Sequence, residues 1–187
     1  NINVSSVEIT ENANLSPGIS GDKTLTIQND FTIQSNGSVR NINWIQNGTN
    51  TIQIGGDFLN NGFMSTDGAN NSYNLGIEMN GSIPQLISGT GSFRMIGSGN
   101  GTSSFKINSG ADVTLDATFR TNDDNGIPGN VIIDGTLRFS DESDVFNGLG
   151  NLVLNGYTEL KASAFNDHYE LIGTKVINTA TSTIEFT

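Results

Sequence analysis

The chain has 187 residues and a formal net charge of −11, with 8 Lys and Arg residues against 19 Asp and Glu residues. A protein binds nucleic acid through clustered Lys and Arg side chains, and this acidic chain has few of them. We therefore expect no nucleic-acid partner. No cysteine is present, which excludes disulfides and thiolate metal sites. No long apolar run occurs, so we expect no direct membrane insertion. Ile, Val, Leu and Phe alternate with polar residues, and this pattern predicts an all-β fold.

Strand candidates begin near the amino terminus and continue along the whole chain. Residues 1–24 contain the candidate Val7–Ile9 and a long loop, and we expect them to form a cap or a partial first coil. Candidates at residues 25–27 and 31–33 follow, separated by a turn. Further strands are predicted at residues 42–44, 52–54, 58–59, 63–64, 73–79, 83–87, 93–95, 105–107, 113–115, 119, 131–133, 137–139, 145–146, 152–154, 157–160, 169–171, 176–177 and 184–186.

One short phrase returns along the chain: an apolar residue, any residue, an apolar residue, Asn or Asp, and Gly. Clear copies occupy residues 77–81, 131–135 and 152–156, and looser copies begin at residues 25, 52 and 105. The copies start 27, 25, 28, 26 and 21 residues apart. A parallel β-helix requires such a repeat, because each coil lies on the previous one and like side chains stack on like.

The repeat therefore predicts a single domain, residues 1–187, folded as a right-handed parallel β-helix (β-solenoid) of about 6–8 coils. With roughly 4.8 Å between stacked strands, this rod would be about 30 to 40 Å long. An antiparallel β-sandwich is the alternative, because it also has short strands and turns rich in Gly and Asn, but it does not require the phrase to return. We also expect the chain to be a fragment of a longer protein.

The phrase also predicts where its own side chains point. Its two apolar residues should face a continuous core, and the residue between them should face solvent. The Asn or Asp that follows should occupy a turn, since Asn tolerates left-handed backbone, and stacked amides can bond to one another along the rod. The predicted ladder consists of Asn29, Asn80, Asn108, Asp134 and Asn155.

Several stretches between residues 50 and 160 resemble the repeats of a known group of proteins. They are Gly56-Asp57-Phe58-Leu59-Asn60-Asn61-Gly62, Met79-Asn80-Gly81 and Gln85-Leu86-Ile87-Ser88-Gly89-Thr90-Gly91-Ser92-Phe93, followed by the rungs Val113-Thr114-Leu115 and Gly135-Thr136-Leu137. These stretches are similar to the repeats of large secreted, adhesin-like surface proteins of Bacteroidetes-type bacteria. The resemblance implies a right-handed β-helix, export from the cell, and a role in adhesion or cell-surface display.

Motifs that would carry catalysis are sparse. The single histidine, His168, is not accompanied by a nucleophile-elbow serine motif, which favours a structural histidine. β-Helix enzymes that act on polysaccharides place Asp residues on one outer face. Asp112, Asp116 and Asp134 are therefore the candidates for a catalytic cluster on neighbouring coils, although an ordinary solvated face has the same composition.

Two turns are rich in the oxygen ligands that calcium prefers. Asp123 and Asp124 lie in one of them, and Asp141 and Asp144 lie in the other. Neither turn has the acidic residue that closes a helix-loop-helix calcium loop. We therefore expect no cofactor, with calcium at these four residues as the alternative.

These features predict a non-enzymatic structural or adhesive segment of a bacterial surface protein, located outside the cell or at the cell surface. Loops at residues 65–72 and 121–130 would be displayed at set positions, and a surface glycan or a protein is the expected kind of ligand. The end coils would associate with further copies end to end, because open strand edges invite pairing. The alternative is a carbohydrate-active β-helix, either a polysaccharide lyase or hydrolase or a glycan-binding module.

Overall fold

The fold consists almost entirely of short strands. A computed structural model describes residues 1–16, 22–41, 49–68, 74–95, 104–121 and 129–187. The strands in its first half are β1 (Ile2–Val4), β2 (Val7–Ile9), β3 (Asn14–Leu15), β4 (Lys23–Ile27), β5 (Phe31–Ile33), β6 (Ser38–Asn41), β7 (Thr49–Ile54), β8 (Phe58–Asn60), β9 (Phe63–Gly68), β10 (Asn74–Met79), β11 (Gln85–Ser88) and β12 (Ser92–Arg94). The second half contains β13 (Ser104–Ile107), β14 (Asp112–Asp116), β15 (Thr118–Arg120), β16 (Asn130–Ile133), β17 (Thr136–Phe139), β18 (Val145–Gly148), β19 (Asn151–Leu154), β20 (Tyr157–Leu160), the helix α1 (Phe165–His168), β21 (Tyr169–Leu171), β22 (Lys175–Ile177) and β23 (Thr183–Phe186).

The strands form three sheets, and every third strand returns to the same sheet. The first sheet has the order β1-β4-β7-β10-β13-β16-β19-β22, the second has the order β2-β5-β8-β11-β14-β17-β20-β23, and the third runs from β3 through β6, β9, β12, β15 and β18 to β21. All strand pairings among the described residues are parallel. The predicted parallel β-solenoid is therefore confirmed, and the antiparallel sandwich is wrong.

The recurring phrase sets the register of the first sheet. The first apolar residue of each copy pairs with the first apolar residue of the next copy, without a shift. The aligned residues are Leu25, Ile52, Ile77, Phe105, Val131 and Leu152. Ile2 and Lys175 extend this row at its two ends. The sequence repeat is thus the structural repeat of the solenoid.

Along the three sheets, the described strands form seven complete coils and an eighth coil with strands in the first two sheets. Eight stacked strands at about 4.8 Å spacing give a rod roughly 35 Å long, within the predicted range. Residues 2–15 supply all three strands of the first coil. The strands within residues 2–15 therefore stack as part of the solenoid, and residues 23–24 already belong to β4 of the second coil. Whether residues 1–24 also act as a cap stays a prediction. The right-handed winding of the rod stays a prediction.

Side chains alternate between the core and the surface, as predicted from the phrase. Ile77 and Met79 are fully buried, whereas Glu78 between them is half-buried on the outer face. The same alternation holds in the other copies, because a strand turns successive side chains to opposite faces. The core is one continuous column of apolar residues that runs through all the coils.

Aromatic rings stack along the inner face of the third sheet. Phe93 and Phe119 lie on adjacent strands with ring centroids 4.3 Å apart, and Phe119 and Phe146 follow at 5.3 Å. Tyr169 continues the column at 5.9 Å from Phe146. In-register parallel pairing forces like residues to stack, and offset aromatic pairs of this kind stabilise a core beyond their burial.

Three corners join the sheets. The first corner leads from the first sheet to the second, the second corner leads to the third sheet, and the third corner leads back to the first. The third corner has the longest connections, with nine residues between β12 and β13 and nine between β15 and β16. Of the loops predicted for display, residues 122–128 and 69–72 lie outside the described residues, whereas residues 65–68 belong to β9.

One predicted strand of the second coil is not tested by the structure, and the strand of the third sheet in this coil was not predicted. The candidate at residues 42–44 lies outside the described residues, and the strand that enters the third sheet in this coil is β6, earlier in the chain. Its inward residue is Val39, which pairs with Met64. The polar neighbours of Val39 hid this strand, because a single apolar residue gives no alternation to recognise.

Candidate functional site

The three carboxylates predicted as a catalytic cluster do not form one group. Asp112 and Asp116 begin and end β14, four residues and roughly 13 Å apart. Asp134 directly follows β16 at the first corner. Asp112 forms an ion pair with Arg138, and Lys106 Nζ lies 3.0 Å from Asp134 Oδ2. Asp116 is thus separated from Asp112 along β14, and both Asp112 and Asp134 form ion pairs with basic side chains.

The surroundings of Asp134 favour its ionised form. Partial burial raises its pKa, but this effect is outweighed by two partners. Asn155 Nδ2 donates a hydrogen bond of 2.7 Å, and the Lys106 ammonium adds a hydrogen bond and its charge, so the pKa of Asp134 lies below its ordinary value of 3.8. A general acid or base works best with a pKa near the working pH. Asp134 is therefore better suited to holding the corner together than to moving protons.

The predicted amide ladder forms only in part. Asn155 bonds to Asp134 one coil below, as predicted. Asn80 and Asn108 occupy the same turn position in neighbouring coils. However, Asn108 Nδ2 donates to Glu78 Oε2 at 3.2 Å. A longer outward carboxylate therefore replaces the direct bond between amides at this step.

Asn29 is one position out of line with the other members of the predicted ladder. Gln28 occupies the position directly after the strand, and Asn29 follows it. Its Nδ2 donates to Ser5 Oγ at 3.0 Å in the preceding coil. A ladder that the sequence did not indicate joins Asn151 Nδ2 to Asn130 Oδ1 at 3.0 Å on the outer face of the first sheet.

The two oxygen-rich turns were predicted as alternative calcium sites. The turn with Asp123 and Asp124 lies outside the described residues. In the other turn, Asp141 Oδ1 accepts hydrogen bonds from Ser143 N at 2.7 Å and Ser143 Oγ at 2.6 Å, and Asp144 Oδ2 accepts one from Asp141 N at 2.8 Å. Among the described residues, no group of three His, Cys, Asp or Glu side chains could hold a metal ion. Calcium binding stays a prediction.

Asp144 is a buried carboxyl, with 3% of its surface exposed. Burial raises its pKa most strongly, the hydrogen bond from Asp141 N opposes the rise, and the carboxylates of Asp141 and Asp116 add to it. Three carboxyl groups, those of Asp116, Asp141 and Asp144, therefore lie close to one another at the second corner. Asp116 and Asp141 are themselves exposed, so their charge reaches the surface.

His168 has a structural role. Its Nε2 accepts a hydrogen bond of 2.9 Å from Lys161 N, so Nδ1 carries the proton and donates to Asp144 O at 2.7 Å. The buried ring stacks on Phe139 with centroids 4.0 Å apart. Both nitrogens are occupied by backbone groups, which leaves neither of them to act as a general base.

The second corner is shortest in the middle of the rod. The length of this corner can be measured between two columns of stacked inward residues, one in the second sheet and one in the third. Both columns run through all seven complete coils; Leu115 belongs to the first column and Phe119 to the second. Along the chain the two column members of one coil are eight positions apart in coils one and two, six in coils three and four, seven in coil six and nine in coil seven. In coil five, Leu115 and Phe119 are only four positions apart. The surface is therefore recessed along the middle coils.

Two depressions lie along the second corner, one in coils two and three and the other in coils four to six, and we call them together the second-corner groove. One has a volume of about 390 Å³ and includes Ser38, Arg40, Asn61 and Phe63 in its wall. The other has a volume of about 320 Å³ and includes Thr90, Asp116, Thr118 and Ser143. A single outward row of the third sheet, Ser38, Phe63, Ser92 and Thr118, connects them. This groove is the candidate functional site of the described chain.

Sequence reasoning found only part of this site. It singled out Asp116 and Asp144 for different reasons and placed them in different hypothetical sites. It did not assign Phe63 or Thr118 to a site, because each is an outward residue at the start of a strand with few inward apolar residues. The usable signal was the shortening interval between apolar residues of successive strands, as from Leu115 to Phe119.

Comparisons with known proteins found no match to a family model, a curated protein or a solved structure. Within the described part of the chain, no helix has both the length and the apolar character needed to cross a membrane. The functional assignment therefore depends on the geometry and chemistry of the solenoid itself.

Proposed function

We propose that this chain is a non-enzymatic structural segment of an extracellular bacterial surface protein and that it associates end to end with further copies. The observation that supports this proposal is the state of the end coils. β1 and β2 at one end, and β22 and β23 at the other, each pair on one side only. Their outer backbone groups are therefore available to another strand. The acidic composition and the resemblance to secreted repeats support the extracellular location.

The last coil also exposes side chains that belong to core columns. Ile177 is 38% exposed and Phe186 is 53% exposed. Both are aligned with buried residues of the coil beneath, Ile177 with Leu154 and Phe186 with Leu160. A second copy stacked in phase would place Val4 above Ile177 and Val7 above Phe186, because these residues occupy the same columns in the first coil. Such stacking would bury apolar surface at both ends.

Sedimentation velocity over a range of protein concentrations tests this proposal. The variant Ile177→Lys should reduce end-to-end association, because it places a charge in the contact and leaves it without a partner. Leu86→Lys is the matched control, since Leu86 is also 38% exposed but lies on the outer face of a middle coil. We expect association in the control and in the unaltered chain. A strict monomer at high concentration, or equal association of both variants, would refute the proposal.

The geometry gives less support to a polysaccharide lyase or hydrolase. Asp112 and Asp134 are ion-paired, and Asp116 lies at the far end of its strand. Incubation with neutral and acidic polysaccharides should therefore release no products. If products do appear, and if Asp116→Asn or Asp134→Asn abolishes their release, the chain is an enzyme and the structural proposal fails.

A further inference from the structure

We propose that the second-corner groove binds a neutral polysaccharide chain that lies along the rod axis. This inference does not rest on end-to-end association, because the groove lies on the side of the rod. It assigns a ligand class to residues whose structural role is otherwise limited to closing a corner. The shape of the groove, the side chains that line it and their charge support this proposal.

The shape of the groove suits an extended polymer. It follows the second corner from coil two to coil six, a span of roughly 19 Å at 4.8 Å per coil. Longer connections border it, including the turn before β18 and the connection that carries α1. The two depressions lie in line along the rod, so one chain that runs parallel to the axis could occupy both.

Close packing keeps the floor of the groove free of side chains. A Cβ atom on Gly62 would lie 2.3 Å from Gly37 O, and one on Gly91 would lie 2.4 Å from Gly62 O. These contacts exclude any larger residue where the coils stack. Glycine thus meets a packing requirement, and these two positions of the groove carry no side chain that could block a ligand.

The lining offers the groups that bind sugars. Thr90, Ser92 and Thr118 are exposed hydroxyl residues that can donate to and accept from sugar hydroxyls. Ser143 Oγ donates to Asp141, so it can only accept. Phe63 is partly exposed and presents an apolar ring in the same outward row, two strands or roughly 10 Å from Thr118. An aromatic residue with hydrogen-bonding groups on either side suits a ligand that alternates C–H faces with hydroxyls.

Two arginine side chains lie at the end of the groove that contains Phe63. Arg40 lines the depression beside Phe63, and the guanidinium carbon of Arg94 lies 6.0 Å from the centre of the Phe63 ring. Contacts of this kind hold an aromatic ring in place and favour a defined binding surface. The guanidinium of Arg40 also adds donors for ligand oxygens.

Negative charge in the half of the groove that contains Thr118 selects against acidic ligands. Asp116 is exposed in its wall, Asp144 closes it from beneath, and Asp141 lies in the adjacent turn. A ligand with uronate or sulfate groups would meet like charge here, whereas sugar hydroxyls can donate to the Asp116 carboxylate. The chemistry therefore favours a neutral chain.

Isothermal titration with neutral hexasaccharides of glucose, mannose and galactose, and with an oligogalacturonate as the acidic probe, tests the proposal. We expect saturable binding of at least one neutral probe, and weaker or no binding of the acidic one. Phe63→Ala should weaken binding by roughly tenfold through loss of the ring contact. Asp116→Asn should weaken it several-fold. Leu86→Ala and Glu170→Gln, on outward faces away from the groove, are the matched controls and should bind normally.

A second variant separates loss of binding from loss of structure. Thr118→Arg places a long side chain in the exposed lining of the groove at the shortest corner and removes no core atom. It should abolish binding while the urea midpoint stays unchanged. The proposal is overturned if no neutral probe binds at millimolar concentration, if the acidic probe binds more tightly, or if Thr118→Arg binds like the unaltered chain.

Discussion

Gln85 occupies an inward position of the second sheet, in line with Val113, where the neighbouring coil has an apolar residue. It is 2% exposed, yet its amide is fully used. Nε2 donates to Ile54 O at 3.0 Å and also to Gly56 O, and Oε1 accepts from Gly81 N at 2.8 Å. One side chain therefore satisfies backbone groups in two successive first corners.

Gln85→Leu should destabilise the chain by about 3 kcal/mol, because buried backbone groups lose their partner while the side-chain volume is kept. Urea unfolding followed by circular dichroism measures this loss. Gln53→Leu is the matched control, since Gln53 bonds on the half-buried outer face of the first sheet and should lose less than about 1 kcal/mol. Equal losses in both variants would show that the corner bonds contribute little.

The ion pair of Asp134 makes a separate, pH-dependent contribution at the residue scale. Because the folded-state pKa lies below the ordinary value of 3.8, this stability is present above that value and is lost as the pH falls through the folded pKa. Asp134→Asn should lower the free energy of unfolding at pH 7 by less than about 1 kcal/mol, as expected for a partly exposed pair.

Urea unfolding of the chain and of Asp134→Asn between pH 7 and pH 2 checks this expectation. The difference between the two should shrink in acid, where both carry an uncharged group at this position. Glu170→Gln, at an exposed glutamate of the third sheet, controls for the general effect of removing one negative charge. A difference that stays constant with pH would argue against the electrostatic origin of the effect.

At the scale of single elements, two glycines differ in the space that the neighbouring coils leave for a side chain. Gly62 lies at the second corner, where an added Cβ would meet backbone oxygen at 2.3 Å. Gly76 lies within β10, where an added Cβ would meet only Thr51 Oγ1 and Ser104 Oγ at 3.6 Å and Asn50 O at 3.9 Å. The first position excludes a side chain, and the second has room for a methyl group.

Gly76→Ala should therefore stabilise the chain by roughly 0.5–1 kcal/mol, because alanine has less freedom to lose on folding. Gly62→Ala should destabilise it by more than that, because the coils must separate to admit the methyl group. Thermal unfolding of the two variants measures both effects in one background. If Gly62→Ala were neutral, the corner would be looser than its contacts indicate.

The elements that the sequence predicted well are those with two inward apolar residues and a recognisable turn. The phrase at Ile77 and Met79 meets this condition, and its copies aligned in the first sheet as expected. β1 lacks the Asn-Gly turn after Val4 and was not predicted. β3 and α1 have two and four residues, too few to show a period.

The candidate groove was harder to predict because no single element defines it. Its depth comes from the different lengths of the second corner in successive coils, and these lengths can be compared only when the strands of the third sheet are in register. Those strands have few inward residues, such as Phe119 in β15. Hence the sequence revealed individual residues such as Asp116 but not the surface that they share.

At the scale of the whole molecule, the net charge of −11 opposes the association of two copies. The proposed end contact gains apolar burial and strand pairing, whereas the like charge repels over a distance that salt controls. Association should therefore strengthen as the salt concentration rises from about 10 mM to 150 mM, where the Debye length falls from about 30 Å to 8 Å. Sedimentation at the two concentrations measures this change, and weaker association at the higher one would indicate ion pairs between the ends.

The parallel sheets have a mechanical consequence, because their hydrogen bonds join one coil to the next and so run along the rod. Tension applied between the two ends would therefore act on the hydrogen bonds between the outermost coil and its neighbour first. The coils would detach one after another, and the strands of a whole sheet would not be sheared at once. Each coil holds about 25 residues, so its release would lengthen the chain by about 80 to 90 Å at the extended length per residue. A molecule built this way would yield in steps of similar length under a pull along its axis and would resist force applied across it.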